Sequence, residues 1–292
     1  MAGRAWRLLR ATVLGFIEDE AMTRGAAIAF YAFFSAAPLL VIAIAIAGAF
    51  YGAQAAEGAV AFHLSTWMGD TAAEVVQGLV RSAADREAGR AAALFGLVVL
   101  LVLASGVFSE VQAALNVIWR APPNPRGTLV EIALNKALSF ALVVLTGVLL
   151  MLSLAATTAL SLLTTWATDL VPQAGRVLGY ANFGLTFLLV TVLFATIYKV
   201  LPNRGLRWRD VGMGAVVTAF LFAVGKALIG WYIGSSQVAT TFGAAGALMV
   251  VLLWIYYSAQ IFLLGAEFTR AWAGLHPDLA RAGRRPAAAA KR

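Results

Sequence analysis

Long apolar runs separated by short charged stretches organise this chain. No charged residue falls between Gly25 and Ala56, and a helix over 26–49 fits inside that run. Further stretches cover 91–118, 137–163, 177–198, 211–233 and 244–266. Each is long enough for the ~20 residues of helix that cross about 30 Å of hydrocarbon. Each is apolar around its whole circumference, as lipid-solvated helices are. The third run extends from Ala137 to Thr168, which implies tilt or an extension beyond the bilayer. The pattern predicts an all-α fold: a polytopic membrane helix bundle of six transmembrane helices in one integral domain, 1–278. The remaining 279–292 is predicted to be a basic, disordered cytoplasmic tail.

Two further segments are amphipathic. Trp6, Leu9, Val13, Phe16 and Ile17 share one helical face, with Arg7 and Arg10 off it. This suits a helix in the headgroup region; packing against the bundle is the competing reading. Between Val60 and Val80, Leu64, Trp67, Val75 and Leu79 repeat the theme, predicting an outer interfacial helix. Arg4, Arg7 and Arg10 resemble the start of a signal peptide. The apolar run that follows is too long for one, and Glu18, Asp19 and Glu20 interrupt first, so no cleavage is expected.

Composition strengthens the membrane reading. The 292 residues are 61% hydrophobic and 12% charged, against about a quarter charged in soluble domains. The absence of cysteine removes disulfides, thiolate metal sites and a cysteine nucleophile. The net charge of +8 would raise the question of nucleic acid, but its distribution answers otherwise. The N-terminal arm, the 2–3 and 4–5 connections and the tail together carry seventeen Lys and Arg. The 1–2 and 3–4 connections carry four, and the 5–6 connection none. Basic residues flank the cytoplasmic side, so both termini are expected inside. Arg204, Arg207 and Arg209 in the 4–5 connection are expected to anchor it on the inner leaflet.

Candidate chemistry is sparse. His63 and His276 have no metal-ligand spacing, and no phosphate-binding loop or nucleophile elbow is present. The acidic trio 18–20 offers either a divalent-ion site or a solvated turn, and the turn is the expectation. No enzyme activity, metal, cofactor or nucleic-acid partner is expected; membrane lipids, and a second envelope protein, are the expected partners. Charges inside the spans are costly and therefore candidate functional groups. Lys226 lies about 15 residues into span five, ~22 Å by helix rise, in the outer half, where it either snorkels outward or serves a transport or headgroup site. Glu110 lies in the inner half of span two and would need Lys136 or Lys199 as partner. Asn116 follows near the inner mouth, on a proposed polar path. Pro38, in Ser35-Ala-Ala-Pro38, frees a carbonyl and kinks span one, as cavity-lining broken helices do and as plain kinks do. Gly225, Gly230, Gly234, Gly243 and Gly246 predict close helix contacts.

Four stretches together resemble the YihY/virulence factor BrkB family of bacterial inner-membrane proteins, formerly mislabelled ribonuclease BN. They are Ala27 to Leu40, including Ser35 and Pro38; Ala114-Leu-Asn116-Val-Ile-Trp119; Tyr198 to Asn203 with Pro202, then Trp208 and Gly212; and Phe242-Gly243-Ala-Ala-Gly246 running on to Gly265-Ala-Glu267. Phe242 departs from the pattern, which carries Tyr there. The resemblance covers nearly the whole chain and implies an envelope role at the bacterial cytoplasmic membrane. Two functions compete. One is a transporter or lipid-translocating permease without its own ATPase. The other is an envelope scaffold that binds a partner through the outer 50–90 segment. The ribonuclease label lacks the clustered metal-binding carboxylates such chemistry needs.

Overall fold

The computed structural model describes residues 2–35, 106–122, 174–235 and 238–274, with isolated positions between 52 and 78. The regular structure among them is all helical. Helix α1 spans Ala2–Glu18, α2 is described over 21–35, and α3 spans Gly106–Ile118. Then come α4, Ala174–Val200; α5, Trp208–Ser235; and α6, Val238–Gly274. Three stretches are long and apolar enough to cross a membrane: Gly179–Val200, Trp208–Gly230 and Leu248–Gly274. The predicted spans 177–198, 211–233 and 244–266 fall on α4, α5 and α6. Spans 26–49 and 91–118 are described in part. Span 137–163, Pro38, Lys136, the tail 279–292 and most of the outer 50–90 segment lie outside the described residues.

Helix ends follow local chemistry. α4 stops at Val200, two residues before buried Pro202, which cannot donate to a continuing helix. α5 begins with Asp210 in its first turn, where the helix dipole favours a carboxylate. α1 is amphipathic, and its two faces differ. Leu8, Thr12, Gly15 and Asp19 are buried, so packing holds for that face. Trp6, Leu9, Val13 and Ile17 are exposed.

The chain divides into two compact units. The first comprises Met1–Asp19, Leu115–Phe220 and Leu264–Arg292; the second, Glu20–Ala114 and Leu221–Leu263. In the first, α5 and α6 meet through a reciprocal glycine–threonine pair. Gly214 lies against Thr269, and Gly265 against Thr218. A Cβ on Gly265 would come 2.7 Å from the Tyr198 hydroxyl and 2.8 Å from Thr218 Cβ. Each threonine donates back to the glycine carbonyl four residues earlier, Thr218 to Gly214 at 2.8 Å and Thr269 to Gly265 at 2.6 Å. The buried hydroxyls are thereby satisfied within their own helices, and the backbones approach closely as small residues permit.

The second unit also brings helices together at glycines. Gly225 of α5 lies against Tyr257 and Ile261 of α6, Gly25 of α2 against Gln260, and Gly106 of α3 against Tyr31. Phe222 and Trp254 meet edge to face, with ring centroids 6.4 Å apart. Of the glycines expected at contacts, Gly225 makes one, whereas a side chain at Gly230 would point into open space. The closest approaches between α5 and α6 in the first unit are instead at Gly214 and Gly265, outside that stretch of glycines.

Candidate functional site

The first unit contains a knot of polar groups gathered at helix ends. Its centre is the C-terminus of α3. There Arg120 N donates to Val117 O at 3.0 Å and Ala121 N to Asn116 O at 2.8 Å. These two bonds close the helix around a left-handed residue, usually glycine. Here that residue is Arg120, with φ of 48°. The remaining carbonyls at this end receive arginines. Arg270 Nη1 donates to Ile118 O at 3.2 Å, and Arg204 Nη1 to Trp119 O at 2.5 Å. Cationic donors suit the negative end of a helix dipole. Asn116 closes the arrangement by accepting from Asn203 N at 2.8 Å, tying α3 to the loop between α4 and α5. From the last turn of α4, Lys199 Nζ donates to Leu206 O in that loop and sits 5.7 Å from the Trp208 ring.

Four charges meet beside this helix end. Asp19, at the end of α1, pairs with Arg120 at 2.7 Å and with Arg270 at 3.3 Å; its side chain is 1% exposed. Arg270 also lies 3.0 Å from Glu267, one turn earlier on α6, whose side chain is 0% exposed. The geometry is that of a charge contact. The buried Trp119 Nε1 lacks an acceptor among the described residues. Gly15 makes room for the cluster: a Cβ at that position would collide with Arg270 Nη2 and Glu267 Oε2. Two arginines and two carboxyl side chains make up the cluster. The arrangement joins α1, α3 and α6 by charge.

The candidates from sequence scatter around this site. Asn116 belongs to it, as a clip to Asn203. Arg204 belongs to it as a cap on α3, whereas Arg207 and Arg209 are exposed. Glu267 and Gly265, marked only by family resemblance, are buried in the first unit, as is Pro202. Gly246 is buried on α6, and Gly243 lies in the same helix. Glu110 on α3 and Lys226 on α5 are half-buried members of the second unit. Buried Ser35, also in the second unit, donates to Ala32 O at 3.1 Å.

The trio at 18–20 requires a correction. Asp19 is buried between arginines, and only Glu18 and Glu20 are exposed. No group of three His, Asp or Glu able to hold a metal occurs among the described residues. A signal for Asp19 was present: Leu8, Thr12, Gly15 and Asp19 recur at helical spacing opposite the apolar stripe, and a small residue amid such a stripe marks a close approach. Glu267 and Arg270 likewise stand three apart, where side chains on a helix meet.

Comparison with known proteins covers almost all of the chain. The family model described as Virulence factor BrkB matches residues 12–290. A UPF0761 membrane protein of Rhodospirillum centenum is 29% identical over 266 residues, 90% of this chain and 56% of that protein. A UPF0761 membrane protein of Legionella pneumophila is 28% identical over 272 residues, 92% and 63% of the respective chains. One from Alcanivorax borkumensis is 35% identical over 181 residues, 61% and 40%. The chain thus spans 56% and 63% of the length of the first two relatives. No solved structure matches it.

Proposed function

The chain belongs to the virulence factor BrkB family of membrane proteins, and from that premise we propose that it is a transporter or lipid-translocating permease of the bacterial cytoplasmic membrane. In this reading it has six spans, both termini inside, and no ATPase of its own. The observation that carries the proposal is the buried cluster of Asp19, Arg120, Glu267 and Arg270. A bundle needing only stability gains little from buried ion pairs, because desolvation offsets their attraction and apolar replacements do as well. Charges retained in an apolar helical chain are by default functional groups. This one joins three helices, so a change in its pairing would be felt by all three.

The test uses the full chain in vesicles carrying a headgroup-labelled fluorescent phospholipid, with a membrane-impermeant reductant added outside. Wild-type protein is expected to expose inner-leaflet label faster than protein-free vesicles do. Glu267→Gln keeps the shape and removes the charge. It is expected to retain the helical spectrum while slowing exposure about tenfold, equivalent to ~1.4 kcal/mol on the barrier. Wild-type vesicles that match protein-free vesicles would overturn lipid translocation.

A further inference from the structure

Helix α1 differs in kind from the membrane-crossing candidates. α4, α5 and α6 are apolar all round, whereas α1 alternates exposed apolar and exposed basic side chains. Trp6 is 68% exposed and Ile17 66%, with Leu9 and Val13 also more than half exposed. Arg4, Arg7 and Arg10 are exposed along the same helix, whose only acid, Glu18, is its last residue. The helix is too short, at ~25 Å, and too charged to cross a bilayer. Its other face is fixed in the first unit through Leu8, Thr12, Gly15 and the ion-paired Asp19.

We propose that the exposed face of α1 is a docking surface for anionic phospholipid headgroups, with Leu9, Val13 and Ile17 in the acyl boundary and Arg4, Arg7 and Arg10 on phosphates. Three arguments select this occupant. The charge on the surface is uniformly basic except at its far end, which complements an anionic leaflet. Tryptophan beside arginine suits the interface, where an amphipathic ring sits between apolar and wet layers. The same unit repeats the combination at the start of α5, where exposed Trp208 stands between exposed Arg207 and Arg209. The docked helix ends at Asp19, so lipid held by α1 bears on the buried ion pairs. The proposal does not depend on transport: a scaffold would dock in the same way.

The cysteine-free chain makes the test direct. Single substitutions Val13→Cys and Ile17→Cys, with Thr12→Cys as a buried reference, receive a spin label in nanodiscs of phosphatidylcholine with or without phosphatidylglycerol. Oxygen and water-soluble nickel collision rates give the depth. With phosphatidylglycerol, labels at 13 and 17 are expected about 5–10 Å below the headgroup surface. They should move toward water in phosphatidylcholine alone, and in the triple variant R4E/R7E/R10E in both lipids. Labels in water under every condition, or shielded from both reagents by protein contact, would overturn the proposal. Equal depth with and without phosphatidylglycerol would overturn it as well, because the arginines would then recognise no charge.

Discussion

The two units solve the same packing problem with different materials. Both bring helices together where a glycine removes a side chain. In the first unit two of the facing groups are short and stiff, Thr218 against Gly265 and Thr269 against Gly214, while the ion-paired ends of Arg270 and Glu267 face Gly15. In the second they are the far ends of long side chains: Gln260 against Gly25, Tyr31 against Gly106, and Tyr257 and Ile261 against Gly225. A β-branched threonine has one or two rotamers in a helix and cannot retreat. A tyrosine ring or glutamine amide can swing aside. The first unit is thus narrowly specified, and among the described residues it is also where the buried ion pairs lie. The second is built to tolerate adjustment.

The largest effect should come from the buried charges described in the first unit. Arg270 is the common partner of Asp19 and Glu267 and also caps Ile118 O. The substitution Arg270→Ala leaves Glu267 without its cation and Asp19 with Arg120 alone. Removing one partner from a buried pair costs about 3–5 kcal/mol. Denaturant titration in detergent should show that loss, and Arg270→Lys should recover only part of it, since an ammonium cannot reach both carboxylates and a carbonyl in a fixed fork. A cost no larger than for an exposed arginine such as Arg209 would erase the contrast between the units.

A smaller effect tests the glycines themselves. Gly265→Ala drives a methyl group into Thr218 and should cost about 1–3 kcal/mol, as overpacking does. Gly225→Ala meets the ends of Tyr257 and Ile261, which can shift, and it gains ~1 kcal/mol of helix propensity. It should therefore be near neutral. The double variant Gly265→Ala/Thr218→Ala should recover most of the first loss, giving a coupling of about 0.5–3 kcal/mol in a double-mutant cycle. Equal costs at 225 and 265 would mean that the identity of the facing side chain does not matter.

The difference between the units also explains what sequence made legible. The stretches 177–198, 211–233 and 244–266 were readable because lipid exposure demands apolar residues on every side, a signal that accumulates over twenty positions. The exposed face of α1 was readable from periodicity for the same reason. The cluster was not, because a buried charge in sequence looks like a solvated one. Asp19 sits between Glu18 and Glu20, and only its helical spacing from Leu8, Thr12 and Gly15 separates the buried member of that trio from its neighbours. Its partners are far along the chain, at 120 and 270, and there they look like ordinary topology-setting cations. Asn116 was singled out by its place in a span, yet its role is fixed by the backbone N–H of Asn203 in a loop eighty-seven positions later. Such pairings are properties of tertiary packing, and only the glycine and threonine spacings on α1, α5 and α6 hinted at them.

The smallest effect concerns two residues that share one strain. Glu20 and Arg120 both adopt left-handed backbone, with φ of 52° and 48°. That conformation costs a non-glycine residue about 1–2 kcal/mol, while glycine adds roughly 0.5–1 kcal/mol of chain flexibility to the unfolded state. Glu20 belongs to the second unit, is exposed, and lies at the turn between α1 and α2. Glu20→Gly therefore relieves strain at no loss of packing and should raise stability by about 0.5–1 kcal/mol, read as a later midpoint in thermal unfolding. Arg120 bears the same strain in the first unit, but its guanidinium holds Asp19 at 2.7 Å. Arg120→Gly removes strain and ion pair together, and Asp19, buried, must then rely on Arg270 alone. Its midpoint should stay level or fall. If both substitutions raise the midpoint equally, the Arg120–Asp19 pair contributes nothing to holding α1. A rise at 20 with no rise at 120 would show that the first unit keeps its strained helix end because the charge placed there is worth more than the strain.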